Sequence, residues 1–124
     1  FFSFFFFFFF FRSRCNPGSD RGTIIGDVIN HGKRPYWERG QNYFYHCTLA
    51  QGENTLEGSI ARLFLRTVDA CHFGTDAWTA EFRQAFVDFM TKPGSHNDTY
   101  ASTYIRMFFA NHVQRKPLDQ VHRK

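Results

Sequence analysis

The chain has 124 residues, enough for one small domain and not two, and carries a net charge of +4. Ten of its 18 phenylalanines crowd into residues 1–11, so they inflate the apolar fraction without adding a core. Its dispersed basic residues form no patch interleaved with stacking aromatics, which argues against nucleic acid as a partner.

The opening tract, Phe1 to Phe11 broken only by Ser3, lacks the basic flank and small-residue cleavage site of a signal peptide. A helical bilayer span needs roughly 20 apolar residues, so the tract is too short for that. It reads as low-complexity sequence from a faulty gene boundary, in preference to a membrane-associating tail. Residues 12–22 mix Asn, Pro, Gly, Ser, Asp and Arg and read as a loop. The domain division is therefore 1–21 as tract and linker and 22–124 as a folded unit.

From Thr23 to Asn30, Ile24, Ile25, Val28 and Ile29 recur at i, i+1, i+4 and i+5. That spacing suits a short helix, while the β-branched content leaves a strand open. His31 to Pro35 then stops the element, because the residue before proline avoids the α region. Residues 36–51 are aromatic and irregular, with Tyr36, Trp37, Tyr43, Phe44, Tyr45 and His46 suited either to packing or to lining a cleft.

The first clear helix follows Gly52-Glu53-Asn54-Thr55. Leu56, Ile60, Leu63, Phe64, Thr67 and Val68 form one face, with Arg62, Arg66 and Asp69 off it. Asn54 is expected as N-cap and Glu57 as its capping-box partner. A second helix is expected after Thr75, with Trp78, Phe82, Ala85, Phe86 and Phe89 as a core stripe and Lys92-Pro93-Gly94 as its stop. A third is expected from near Asn97 or Asp98, with Tyr100, Tyr104, Met107, Phe108 and Asn111 on one side, ending before Lys116-Pro117. Leu118 and Val121 are the only apolar anchors of a terminal helix. No hairpin chemistry follows Gly52, so the predicted fold class is all-α.

The three cysteines, Cys15, Cys47 and Cys71, are far apart and odd in number. They make neither a disulfide framework nor a CxxC zinc pair, and a reducing, cytoplasmic setting is the expectation. Cys71-His72 reads as a buried thiol near a helix end rather than half of a metal site.

Two polar tracts open helices: Gly52-Glu53-Asn54-Thr55 and His96-Asn97-Asp98-Thr99-Tyr100. Carboxylate and amide oxygens beside unsatisfied N–H groups suit an anion, a metal ion or a sugar hydroxyl. Locally, each is equally an ordinary cap, and a cap is worth about 1 kcal/mol. Glu53, Asn54 and Thr55 are hard oxygen donors of the kind Mg²⁺ prefers. Tyr104 and Arg106, two turns beyond Asp98, are placed to flank a ligand at the helix mouth, with His96 beside them.

Several segments in order resemble the ADP-ribosylglycohydrolases of the crystallin J1-related kind. They are Gly26-Asp27-Val28-Ile29-Asn30-His31-Gly32-Lys33-Arg34, Tyr36-Trp37-Glu38-Arg39, Gly52-Glu53-Asn54-Thr55-Leu56, Pro93-Gly94-Ser95-His96-Asn97-Asp98-Thr99-Tyr100-Ala101 and Arg106-Met107-Phe108-Phe109-Ala110-Asn111. The resemblance covers roughly Gly22 to Gln120. It implies a helical fragment of an all-α orthogonal bundle and hydrolysis of a glycosidic bond to ADP-ribose or an ADP-ribosylated substrate. It further implies a two-Mg²⁺ site, with Glu53, Asn54 and Thr55 standing where relatives carry Thr-Asp-Asp-Thr. Only Thr55 matches that motif outright. Asn54 removes one negative charge, which weakens Mg²⁺ binding. Asp98 corresponds to an aspartate beside the ADP-ribose pocket, and His96 and Thr99 accompany it as substrate-site residues. Ile105 stands where closer relatives are expected to have His.

The family's N-terminal Gly-Asp…Glu segment has no counterpart, and its later Asp-rich motif would lie beyond Lys124. The resemblance therefore reads the chain as an internal portion, inactive by itself. A non-catalytic crystallin-type protein of the same fold, or a small helical interaction module, are the alternatives.

Overall fold

Among the described residues there are three α-helices: α1, Leu56–Ala70; α2, Asp76–Thr91; and α3, Thr103–Val113. A π-helical turn, Ile24–Ile29, and a 3-10 turn, Arg34–Trp37, precede them. The structure is a computed structural model and describes residues 24–37, 46–70 and 73–114. The poly-Phe tract, the linker, Tyr43 to Tyr45, Cys15, Cys71-His72, Leu118 and Val121 lie outside the described residues. Among the described residues there is no strand, so the fold class is all-α as expected.

α1 and α2 follow their periodicity. Leu56, Ile60 and Thr67 are buried along α1, Leu63, Phe64 and Val68 are half-buried, and Arg62, Arg66 and Asp69 face solvent. Thr75 caps α2, its hydroxyl accepting the Trp78 N–H at 3.1 Å. Trp78, Phe82 and Phe86 are buried on α2 with Val87 and Met90. Gly94, with φ +76°, turns the chain out of the helix where a side chain would be strained.

The aromatic stripe of α2 joins the helices. Phe64 of α1 meets the Trp78 and Phe82 rings edge-on at 5.3 and 5.4 Å. Phe86 then contacts Phe108 and Phe109 of α3 at 5.4 and 5.5 Å. Edge-to-face pairs of this kind add about 0.5–1.5 kcal/mol each beyond area burial.

One expectation gains detail and two need correction. First, the run at 24–29 is a short helix, as its spacing suggests, in π form: the Asn30 N–H reaches back five residues to the Ile25 carbonyl at 2.9 Å. That wider turn buries Ile24, Ile25 and Ile29 together. Gly26 lies against Arg34, and a Cβ there would sit 2.7 Å from the Arg34 Cβ. Second, the N-cap of α1 is Thr55. Its hydroxyl accepts the Gly58 N–H at 3.2 Å and its carbonyl accepts the Ser59 N–H, while Asn54 is exposed. With the cap at Thr55 the capping-box position falls on Gly58, so Glu57 has no reciprocal role.

Third, α3 begins at Thr103, capped by Ser102, and not near Asn97 or Asp98. The Asp98 carboxylate accepts the Tyr100 N–H at 3.1 Å, a local side-chain bond that competes with helix formation. The later start changes the buried face to Ile105, Phe108, Phe109 and Asn111, and leaves Tyr104 exposed.

Among the described residues, no helix is long and apolar enough to cross a membrane.

Candidate functional site

The two polar tracts meet. Asp98 is fully buried, and its Oδ2 accepts the Leu56 N–H at 2.8 Å across 42 residues of chain. Thr55 and Asp98 thus share the mouth of α1: Thr55 takes the Gly58 N–H and Asp98 the Leu56 N–H. A carboxylate at a helix N-terminus is also favoured by the helix dipole. Beside them, the Asn97 amide donates to Glu53 Oε2 at 3.2 Å and to the Thr48 carbonyl at 2.6 Å. The Thr48 hydroxyl returns a bond to the Asn97 carbonyl.

The roles of the two carboxylates differ. Asp98 accepts from Leu56 N–H, Tyr100 N–H and the His46 ring, whose Nδ1 lies 2.9 and 2.8 Å from its two oxygens. A carboxylate only accepts, so His46 carries its proton on Nδ1. Glu53 is exposed. The Ala50 N–H, at 2.7 Å, and then the Asn97 amide hold its carboxyl below the usual carboxylate range. Glu53 is therefore an ionised group at the rim, and Asp98 is a buried acceptor that holds the start of α1.

Cations and aromatic rings surround the junction. Lys33 Nζ donates to Asn97 Oδ1 at 2.9 Å. Trp37 donates through Nε1 to the Thr99 carbonyl at 2.7 Å, stacks on Tyr100 at 6.3 Å and lies under the Arg106 guanidinium at 5.0 Å. Arg106 is itself held by the Ala101 carbonyl and the Thr103 hydroxyl. The Tyr100 ring meets His46 edge-on.

Of the expected site residues, Glu53, Thr55, Asp98 and Thr99 come together, with Thr99 buried. Asn54 is adjacent in sequence and exposed. His96 is half-buried on the other side of Asp98, where its Nε2 donates to the Ile29 carbonyl at 2.9 Å. Burial pushes the His96 ring below its usual pKa, favouring the neutral form. Tyr104 and Arg106 lie on a helix that starts after Asp98, so they do not extend a mouth that Asp98 opens.

Thr55 Oγ1 and Glu53 Oε2 each face N–H donors, the arrangement of a cap. Among the described residues, no three His, Cys, Asp or Glu side chains converge.

Asn30 carries no mark of a site in the sequence, Asn97 appears there only within its tract, and Trp37 and His46 only within an aromatic stretch suited to packing or to a cleft. Asn30 belongs to the apolar run, yet its Nδ2 donates to the Asp98 carbonyl at 3.0 Å. His46 stands in the left-handed region at φ 63°, uncommon for a residue other than glycine. No sequence signal separates it from the chain's other five histidines. No protein family, curated protein or solved structure matches the chain.

Proposed function

We propose that the chain belongs to an ADP-ribosylglycohydrolase-like hydrolase that acts, in its complete form, on a glycosidic bond to ADP-ribose. The chain alone is inactive. The observation that supports the reading is the junction of the two tracts, where Asp98 binds the Leu56 N–H and Asn97 binds Glu53.

Glycoside hydrolysis needs a carboxylate near the ribose and a rigid frame to orient it. Glu53 supplies the exposed carboxylate, aimed by Ala50 and Asn97. A ribose hydroxyl can donate to it. Asp98 is a positioning residue: it fixes the start of α1 and the turn at Tyr100, and through them the rim. Calorimetry with ADP-ribose, with and without Mg²⁺, tests the reading. Binding that Glu53→Gln weakens at unchanged stability supports it, and ADP-ribose release by the chain alone overturns the claim of inactivity.

A non-catalytic protein of the same fold is the second reading. The three donors held by the buried Asp98 favour it, because they describe a structural carboxylate. Absence of ADP-ribose and Mg²⁺ binding in a full-length version would favour this reading.

A further inference from the structure

A small pocket of about 10 Å³ separates the π-helical turn from the loop after α2, and Asn30, Ser95 and His96 help to line it. Five buried side-chain polar atoms among the described residues have no hydrogen-bond partner. Three of them belong to these lining residues: Asn30 Oδ1, Ser95 Oγ and His96 Nδ1. Asn30 itself is 1 % exposed. Buried polar groups in native proteins are nearly always bonded, so three orphans around one pocket call for a common partner.

The partner's chemistry follows from the bonds already made. Asn30 donates through Nδ2 to the Asp98 carbonyl, which leaves Oδ1 as an acceptor. His96 donates through Nε2 to the Ile29 carbonyl, so in the neutral ring Nδ1 is also an acceptor. Ser95 offers a hydroxyl that donates or accepts. An anion is refused by the two acceptors. A metal cation is disfavoured by Lys33 and Lys92, which also line the pocket, while the Asp98 carboxylate beside them already accepts from the Leu56 and Tyr100 N–H groups and the His46 ring. A neutral group with two donors and one acceptor fits, at a volume about that needed for one water.

We propose that this pocket is a binding site for a single ordered water, which donates to Asn30 Oδ1 and His96 Nδ1 and accepts from the Ser95 hydroxyl. The water joins the π-helical turn to the loop that carries Asn97 and Asp98. It thereby adds a second tie beside the bond from Asn30 to the Asp98 carbonyl.

A crystal structure of the full chain at high resolution tests the site. The expected result is one solvent peak within about 2.7–3.2 Å of all three atoms. A pocket without a solvent peak, a peak with the short contacts of a metal ion, or the three atoms bonded to other parts of the chain would each overturn it. Nitrogen NMR of His96 is an independent reading: the proposal requires the proton on Nε2, and a neutral ring protonated on Nδ1 sinks it. Cross-relaxation between the Ser95 and Asn30 side chains and a long-lived water supports it in solution.

Discussion

Replacing Asp98 by alanine removes the buried side chain that ties the start of α1 to the loop after α2. The carboxylate is fully buried and accepts the Leu56 and Tyr100 N–H groups and the His46 ring. Alanine would remove the acceptor of the buried Leu56 N–H, and an unsatisfied buried donor costs about 1–3 kcal/mol. A small domain has about 5–15 kcal/mol in total, so the loss takes a large share of its stability. Asp98→Asn keeps an oxygen acceptor but turns an amide N–H toward the remaining donors, and is expected to lose less than alanine. Urea denaturation followed by circular dichroism measures both. A loss of less than about 0.5 kcal/mol in Asp98→Ala, the range of an ordinary surface change, would refute the bracing role.

Three further outcomes are expected. Thr55→Ala should cost about 1 kcal/mol as a lost N-cap while Asn54→Ala stays within about 0.5 kcal/mol of wild type, and equal losses in thermal melts would contradict the cap assignment. Gly26→Ala forces a Cβ to 2.7 Å from the Arg34 Cβ and should destabilise by about 1–3 kcal/mol in the same melts, with no loss contradicting the close approach. Burial lowers the His96 pKa in the folded state, so the unfolded chain takes up that proton first. Stability should therefore fall as pH drops below the ordinary value of about 6.5 and level off below the folded pKa. A stability profile against pH that is no flatter in His96→Gln than in wild type would assign the effect elsewhere.

α1 and α2 were legible because an apolar face repeated every helical turn over 15 and 16 residues, and little else accommodates that pattern. The start of α3 was not legible, because the same Asp98 that reads as a local cap serves a different helix. A short polar side chain carries no mark of which N–H group it will meet. The Ile-rich run was ambiguous for a related reason: its spacing suits a short helix while its β-branched residues suit a strand, and the spacing does not distinguish an α turn from the π turn that forms. Both candidate tracts were visible as polar interruptions before apolar runs. Their contact was not, since it is made by tertiary bonds such as Asn97 to Glu53, 44 residues apart. His46 and Trp37 sat in an aromatic stretch with no period and could not be ranked there.

The bond from Leu56 to Asp98 also has a temporal side. The first turn of α1 is completed by a residue that emerges 42 positions later. At a synthesis rate of about 5–20 residues per second, that interval is roughly 2–8 s. During it, α1 has its own Thr55 hydroxyl but lacks the carboxylate that takes its first N–H. The growing chain therefore holds a helix with a frayed beginning, and the nascent domain locks only when the segment after α2 returns to it. A ribosome stalled before Asp98 should display an α1 start open to proteases, and one stalled well beyond it a protected start.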